Sequence, residues 1–141
     1  MKRDFATYQV AFKILLKKGN KFLFLRTSKG DFWDLAGGRA DNVEGKTPLK
    51  KILSREVREE LGSEIKYKLG RIIFQYRRYN KSRKIYNLIT IHEAKYISGK
   101  IKLSNEHRSY EWINPAKFKF DRNDFFNAEE FSVFKDYFKF K

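Results

Sequence analysis

The sequence contains no cysteine, two prolines, one methionine and two histidines. Without cysteine there are no disulfides, thiolate metal sites or cysteine nucleophiles, so any metal ion must be held by oxygen or imidazole ligands. Two histidines leave little room for a histidine-based catalytic triad. No apolar run approaches the roughly 18 residues of a membrane span, and the start "MKRDFATYQV" lacks the continuous apolar segment of a secretion signal. The expectation is a cytoplasmic protein with no membrane association. Acidic residues are also scarce: 17 Asp and Glu face 32 Lys and Arg, a formal charge of +15. Such a field attracts polyanions, but charge alone does not choose between nucleotide, RNA, DNA and lipid, and a lysine-rich surface also serves solubility.

What is present is a chain of 141 residues, 41% apolar, with 14 Phe, 8 Tyr and 2 Trp. That suffices for one compact domain over 1–141 with a core of its own. "TYQVAFKILLKKGNKFLFLRT" reads as two strands joined at Gly19-Asn20. "GDFWDLAGGRADN" reads as an irregular loop with tight glycine turns. A helix is expected from Thr47 as cap and Pro48 as first helical residue to Gly62 as stop. Two tyrosine- and isoleucine-rich strands follow, joined at "NKSRK", then a short strand "YEWI". "NAEEFSVFKDYFKF" closes the chain as a helix capped by Asn127, with Phe131, Phe134 and Phe138 on one face. The fold class expected is α+β, with a mixed sheet, a central helix and a C-terminal helix.

The stretch "SREVREELGSE", residues 54–64, places four carboxylates in a basic chain. At 100° per residue, Leu49, Leu53, Val57 and Leu61 form one column of the helix, and Ile52, Glu56 and Glu60 a second beside it, with Glu59 adjacent. Exposed like charges at such spacings cost about 0.2–0.5 kcal/mol per pair, whereas an uncompensated buried carboxylate costs several kcal/mol. The acids are therefore protonated, paired with cations such as Arg55 and Arg58, or bound to a metal. Hard oxygen ligands one turn apart suit Mg²⁺, with Mn²⁺ as the alternative.

"REVREELG", Arg55 to Gly62, resembles the second half of the Nudix box, G-x5-E-x7-R-E-U-x-E-E-x-G-U, where U is apolar. Gly38 and Glu44 in "GGRADNVE" resemble its first half, and "FWDLAGG" the tryptophan-x-leucine-proline-glycine-glycine segment that usually precedes it. Three departures stand out. Ten residues rather than seven separate Glu44 from Arg55, Ala36 replaces the common proline, and Ser63 stands at the last apolar position.

The resemblance implies an α/β/α sandwich whose central helix binds metal, and a hydrolase of diphosphate linkages in nucleoside diphosphate derivatives. Glu56, Glu59, Glu60 and the Gly37 carbonyl would be metal ligands, and Arg55 would orient Glu56. Glu106 in "SNEHRSYEWI" or Glu56 itself would be the general base, with His107 assisting or simply exposed. Trp33, Gly38 and Arg39 are substrate-binding candidates, although Trp33 equally suits the core. From Lys66 to Lys84 there are eight Lys or Arg and no acid, interleaved with Tyr67, Phe74, Tyr76 and Tyr79. Such a hairpin either grips phosphates and bases or turns its aromatics inward and leaves its basic side chains in water. The partner expected is a nucleotide or nucleotide derivative. RNA is a second candidate, either as a 5′-pyrophosphate substrate or as the ligand of a non-catalytic binding module.

Overall fold

The computed structural model describes residues 2–140. Its elements are β1 (Tyr8–Lys18), β2 (Lys21–Thr27), β3 (Trp33–Asp34), β4 (Ala36–Arg39), α1 (Leu49–Leu61), β5 (Lys66–Asn80), β6 (Ile85–Ser98), β7 (His107–Ile113) and α2 (Ala128–Phe138). Short 3₁₀ turns lie at Asn42–Glu44 and Arg122–Asp124.

The strands form one mixed seven-stranded sheet in the order β3-β2-β1-β6-β5, with β4 beside β1 and β7 beside β2. β1 and β6 run parallel from Tyr8↔Tyr86 to Lys17↔Lys95, and the remaining pairs are antiparallel. Alternation along β1 explains the layers. Phe12, Ile14 and Leu16 face α1, where they bury Ile52, Leu53, Val57 and Leu61. Ala11 and Leu15 face the other way, onto Phe120, Phe125 and Phe134. The result is an α/β/α sandwich, as the family resemblance implies. No helix among the described residues is long and apolar enough to cross a membrane.

Three local expectations are corrected. The glycine stretch is not wholly irregular, because Ala36–Arg39 pairs with Ala11–Ile14 and Trp33–Asp34 pairs with Leu25 and Arg26. Thr47 does not cap α1. Pro48 holds the cap position with extended backbone, and its carbonyl accepts from the Lys51 and Ile52 N–H groups. Leu49 is exposed rather than in the apolar column, since the first turn projects past the sheet. Other expectations hold. Gly62 ends α1 with positive φ and donates to the Arg58 carbonyl, and the Asn127 side chain caps α2 by accepting from Glu130 N–H at 2.8 Å.

Phe134, 3% exposed, touches Phe24, Phe74, Tyr76 and Phe125 and fastens α2 to the sheet. Phe134→Ala should destabilise the fold by about 3–5 kcal/mol. The exposed Phe5→Ala control should stay within about 0.5 kcal/mol, both measured by denaturant unfolding.

Candidate active site

The site begins with two glycines. Gly37 has φ +140°, and a Cβ there would lie 2.0 Å from the Phe12 carbonyl oxygen, so β4 reaches β1 only because the side chain is absent. A Cβ on Gly38 would lie 2.1 Å from Glu56 Oε2. Close approach of backbone to helix thus seats the acidic column of α1 against the end of β4. Glu60 Oε2 accepts a 3.0 Å hydrogen bond from Gly37 N–H, and Glu56 packs over Gly38.

Glu60 is 5% exposed. Burial pushes its carboxyl up to about 9; Lys13 offsets part of that rise, while Asp34 and a hydrogen bond shared with Glu106 add to it. Glu56 is raised as well, chiefly by burial, against the lowering effect of Arg55. Glu59 points outward, with 59% of its side chain exposed. Arg55 sits among all of these acids. Its Nε and Nη2 donate to Glu44 at 2.9 and 2.5 Å, and its Nη1 lies 2.7 Å from Glu56 and 3.2 Å from Glu59.

The role of Glu44 follows from that fork. Residues Asn42–Glu44 coil into a 3₁₀ turn, where Asp41 caps Val43 N–H and Glu44 accepts from Asp41 N–H at 2.8 Å, and the extra residues fall after it, between Glu44 and Arg55. Held at that turn, Glu44 meets Arg55 despite the longer spacing, and the pairing lowers its carboxyl.

A buried ionic group behind Glu60 was not foreseen. Lys13 Nζ donates to Asp34 Oδ1 at 2.7 Å. Arg78 lies 3.3 Å from the same oxygen and makes a fork onto Glu130 at 2.7 and 3.0 Å. Burial alone would raise the Asp34 carboxyl, but Lys13 and Arg78, with a hydrogen bond from His107, outweigh it and hold Asp34 well below the usual range. Because an ionised carboxylate only accepts, His107 Nε2 donates in its 2.9 Å contact with Asp34. The other nitrogen, Nδ1, is buried without a hydrogen-bond partner, 3.9 Å from Glu60 Oε2. His107 is therefore neither exposed nor free. One signal for this group is present in the sequence: Lys13 interrupts the apolar run "VAFKILL".

The charges decide what Glu60 requires. Lys13 and Arg78 are matched by Asp34 and Glu130, which leaves Glu60 the carboxyl with no cation of its own in the buried group. A hard divalent ion fits that donor set, since Glu56, Glu59, Glu60 and the Gly37 carbonyl are all oxygen ligands. Among the described residues no three His, Asp or Glu side chains are already gathered as a metal cage. Arg55 engages Glu56 and Glu59 in their place.

These residues line a cleft of about 720 Å³ together with Gln9, Arg39, Arg83, Asn87 and Glu106. Arg39 stands exposed at the rim, its Nη1 3.2 Å from Gln9 Oε1. Trp33 does not reach the cleft, which corrects its substrate-binding reading. It is 6% exposed, packed edge-on against Phe24 and Phe118, with the Arg26 guanidinium 4.6 Å from its ring.

A family model described as the NUDIX domain matches residues 7–134. No curated protein matches the sequence. Among solved structures, the chain is similar to a MutT protein from Methanosarcina mazei Go1, at 25% identity over 95% of this chain and 92% of that one, with a TM-score of 0.70. A NUDIX hydrolase from Nitrosomonas europaea superposes at 15% identity over 93% and 88% of the two chains, TM-score 0.69. An ADP-ribose pyrophosphatase from Streptococcus suis does so at 14% identity over 96% and 95%, TM-score 0.60.

Two outcomes follow from this geometry. Gly38→Ala should displace Glu56 and lower metal-dependent activity by more than tenfold while the far-ultraviolet circular dichroism spectrum stays native; normal activity would show that the close contact is dispensable. The second concerns pH. The Glu60 pKa is higher folded than unfolded, so its contribution to stability is complete below the ordinary value of 4.5 and is lost as pH rises toward about 9. At about 1.4 kcal/mol per unit, the loss reaches several kcal/mol. In chelator-treated protein, Glu60→Gln should flatten that decline, read as Tm against pH, and parallel curves for the two proteins would contradict it.

Proposed function

The chain belongs to the Nudix family, and from that premise we propose that it is a divalent-metal-dependent hydrolase cleaving a diphosphate linkage in a nucleoside di- or triphosphate or a derivative of one. The observation that carries this reading is Glu60, a buried carboxyl with no cation of its own, set beside Glu56 in a cleft that Arg39 and Arg83 also line. The similarity to a MutT protein and an ADP-ribose pyrophosphatase supports the same reaction class.

In this reading Mg²⁺, with Mn²⁺ as the alternative, is held by Glu56, Glu59, Glu60 and the Gly37 carbonyl. When bound, such an ion neutralises phosphate oxygens and acidifies a water that attacks phosphorus. Gly37 N–H and the Gly38 approach keep Glu60 and Glu56 aimed into the cleft. Arg55, anchored by Glu44, orients Glu56 and does not bind substrate. Lys13 and Arg78 stand at the cleft floor, where Asp34 and Glu130 balance their charge and fix their positions. Arg39 meets the anion at the rim. Glu106, which lines the cleft close to Glu60, takes the proton of the attacking water. A cysteine-free chain suits the cytoplasm.

A screen of nucleoside triphosphates, diphosphates and nucleotide sugars with Mg²⁺ or Mn²⁺, products identified by mass, tests the reading. Glu56→Gln and Glu60→Gln should each lower turnover by more than the roughly 10–100-fold that loss of an outer-shell partner costs. Glu106→Gln should lower kcat with little change in KM. Turnover that persists in chelator, or in both ligand variants, would overturn the assignment.

A further inference from the structure

The face of the sheet that α1 covers at Phe12, Ile14 and Leu16 continues uncovered beyond the helix to Val10 and Tyr8. There Tyr8 pairs with Tyr86 across β1 and β6, and Tyr86 pairs with Tyr79 across β6 and β5. Residues directly opposite on neighbouring strands share a face, so the three tyrosines form one row across the sheet. Tyr79 is 40% exposed and Tyr86 46%, with ring centroids 4.9 Å apart and Tyr8 at 6.3 Å from Tyr86. The rings are tilted, not stacked on each other, which leaves ring face available. The basic hairpin turns Phe74 and Tyr76 into the core and leaves Lys66, Lys68, Arg71 and Arg77 in water, as an aromatic-in, cation-out alternation expects; Tyr79, which faces outward, and Arg78, which faces inward, are the exceptions.

The surroundings of the row are cationic. The Arg77 guanidinium, its charge paired with Glu129, lies over the Tyr86 ring at 5.7 Å, and the turn between β5 and β6 carries Lys81, Arg83 and Lys84, all exposed. Tyr8 and Arg83 also line the cleft, so the row is continuous with it. Apolar contact alone would also suit a second copy of the chain. Two chains of +15 repel, however, and the same charge attracts a polyanion.

We propose that the row Tyr8, Tyr86 and Tyr79 is a base-stacking site for single-stranded nucleic acid, with Lys81, Arg83 and Lys84 meeting its phosphates. Aromatic faces accept any base, and cations beside them track the backbone, which is the chemistry of sequence-tolerant strand binding. This site goes beyond the hydrolase reading and does not require it, because stacking needs no metal.

The test is fluorescence anisotropy with labelled single-stranded RNA and DNA of about ten nucleotides, in chelator, so that the cleft's metal chemistry plays no part. Wild-type protein should bind, with affinity falling as salt rises. Tyr79→Ala with Tyr86→Ala should weaken binding by at least about tenfold, while Tyr79→Phe with Tyr86→Phe, which keeps both ring faces, retains it. Tyr79→Ala alone should give a loss of about fivefold and serves if the double variant does not fold. Failure of wild-type protein to bind either strand at low salt would overturn the proposal, as would equal affinity of the alanine variants. So would a wild-type dimer that the alanine pair splits, which would assign the row to a second copy. Glu60→Gln should bind like wild type, so loss of turnover and loss of strand binding are separable results.

Discussion

A carboxyl buried without a cation is the constraint around which this molecule is arranged. Glu60 is drawn out of water by α1, whose Leu53, Val57 and Leu61 must reach the sheet, and helical periodicity carries Glu60 inward with them. At the sheet it finds one neutral donor, the Gly37 N–H. That hydrogen bond falls short of the several kcal/mol that burying the ionised form would cost, so the carboxyl is held in its protonated form near neutral pH.

The ionic group behind Glu60 shows how the surroundings are kept from neutralising it. Lys13 is close enough to influence Glu60 but donates to Asp34, and Arg78 is committed to Asp34 and Glu130. Arg55 is held by Glu44 on the far side. Each of these three cations is therefore tied to another acid. Glu130 belongs to the first turn of α2, so the same ion pairs that occupy Arg78 also fix where that helix begins. Stability and site geometry share these contacts.

Much of this was legible in the sequence. The Ile52, Glu56, Glu60 column reports its own burial because Ile52 precedes it by one turn, and Gly37, Gly38 and Gly62 mark places where backbone approaches closely or turns. Apolar runs and tyrosine, isoleucine and phenylalanine enrichment between turn residues located the strands. The buried network was not legible, because Lys13, Asp34, Arg78, His107 and Glu130 lie up to 73 residues from their partners and meet only through strand pairing and the docking of α2. Trp33 was ambiguous for a different reason. It sits on a two-residue strand too short to show alternation, so nothing in the local pattern reveals which side it faces. Glu44 was obscured by insertion, since three extra residues between it and Arg55 break the spacing that would have paired them.

The most direct measurement is calorimetric titration of the protein with Mn²⁺ or Mg²⁺ near neutral pH in buffers of different ionisation enthalpy. A Glu60 carboxyl raised to about 9 carries its proton under these conditions and must lose it to bind a cation. The account predicts uptake accompanied by release of about one proton, with that release absent in Glu60→Gln. Uptake without proton release, or uptake that Glu60→Gln leaves unchanged, would contradict it.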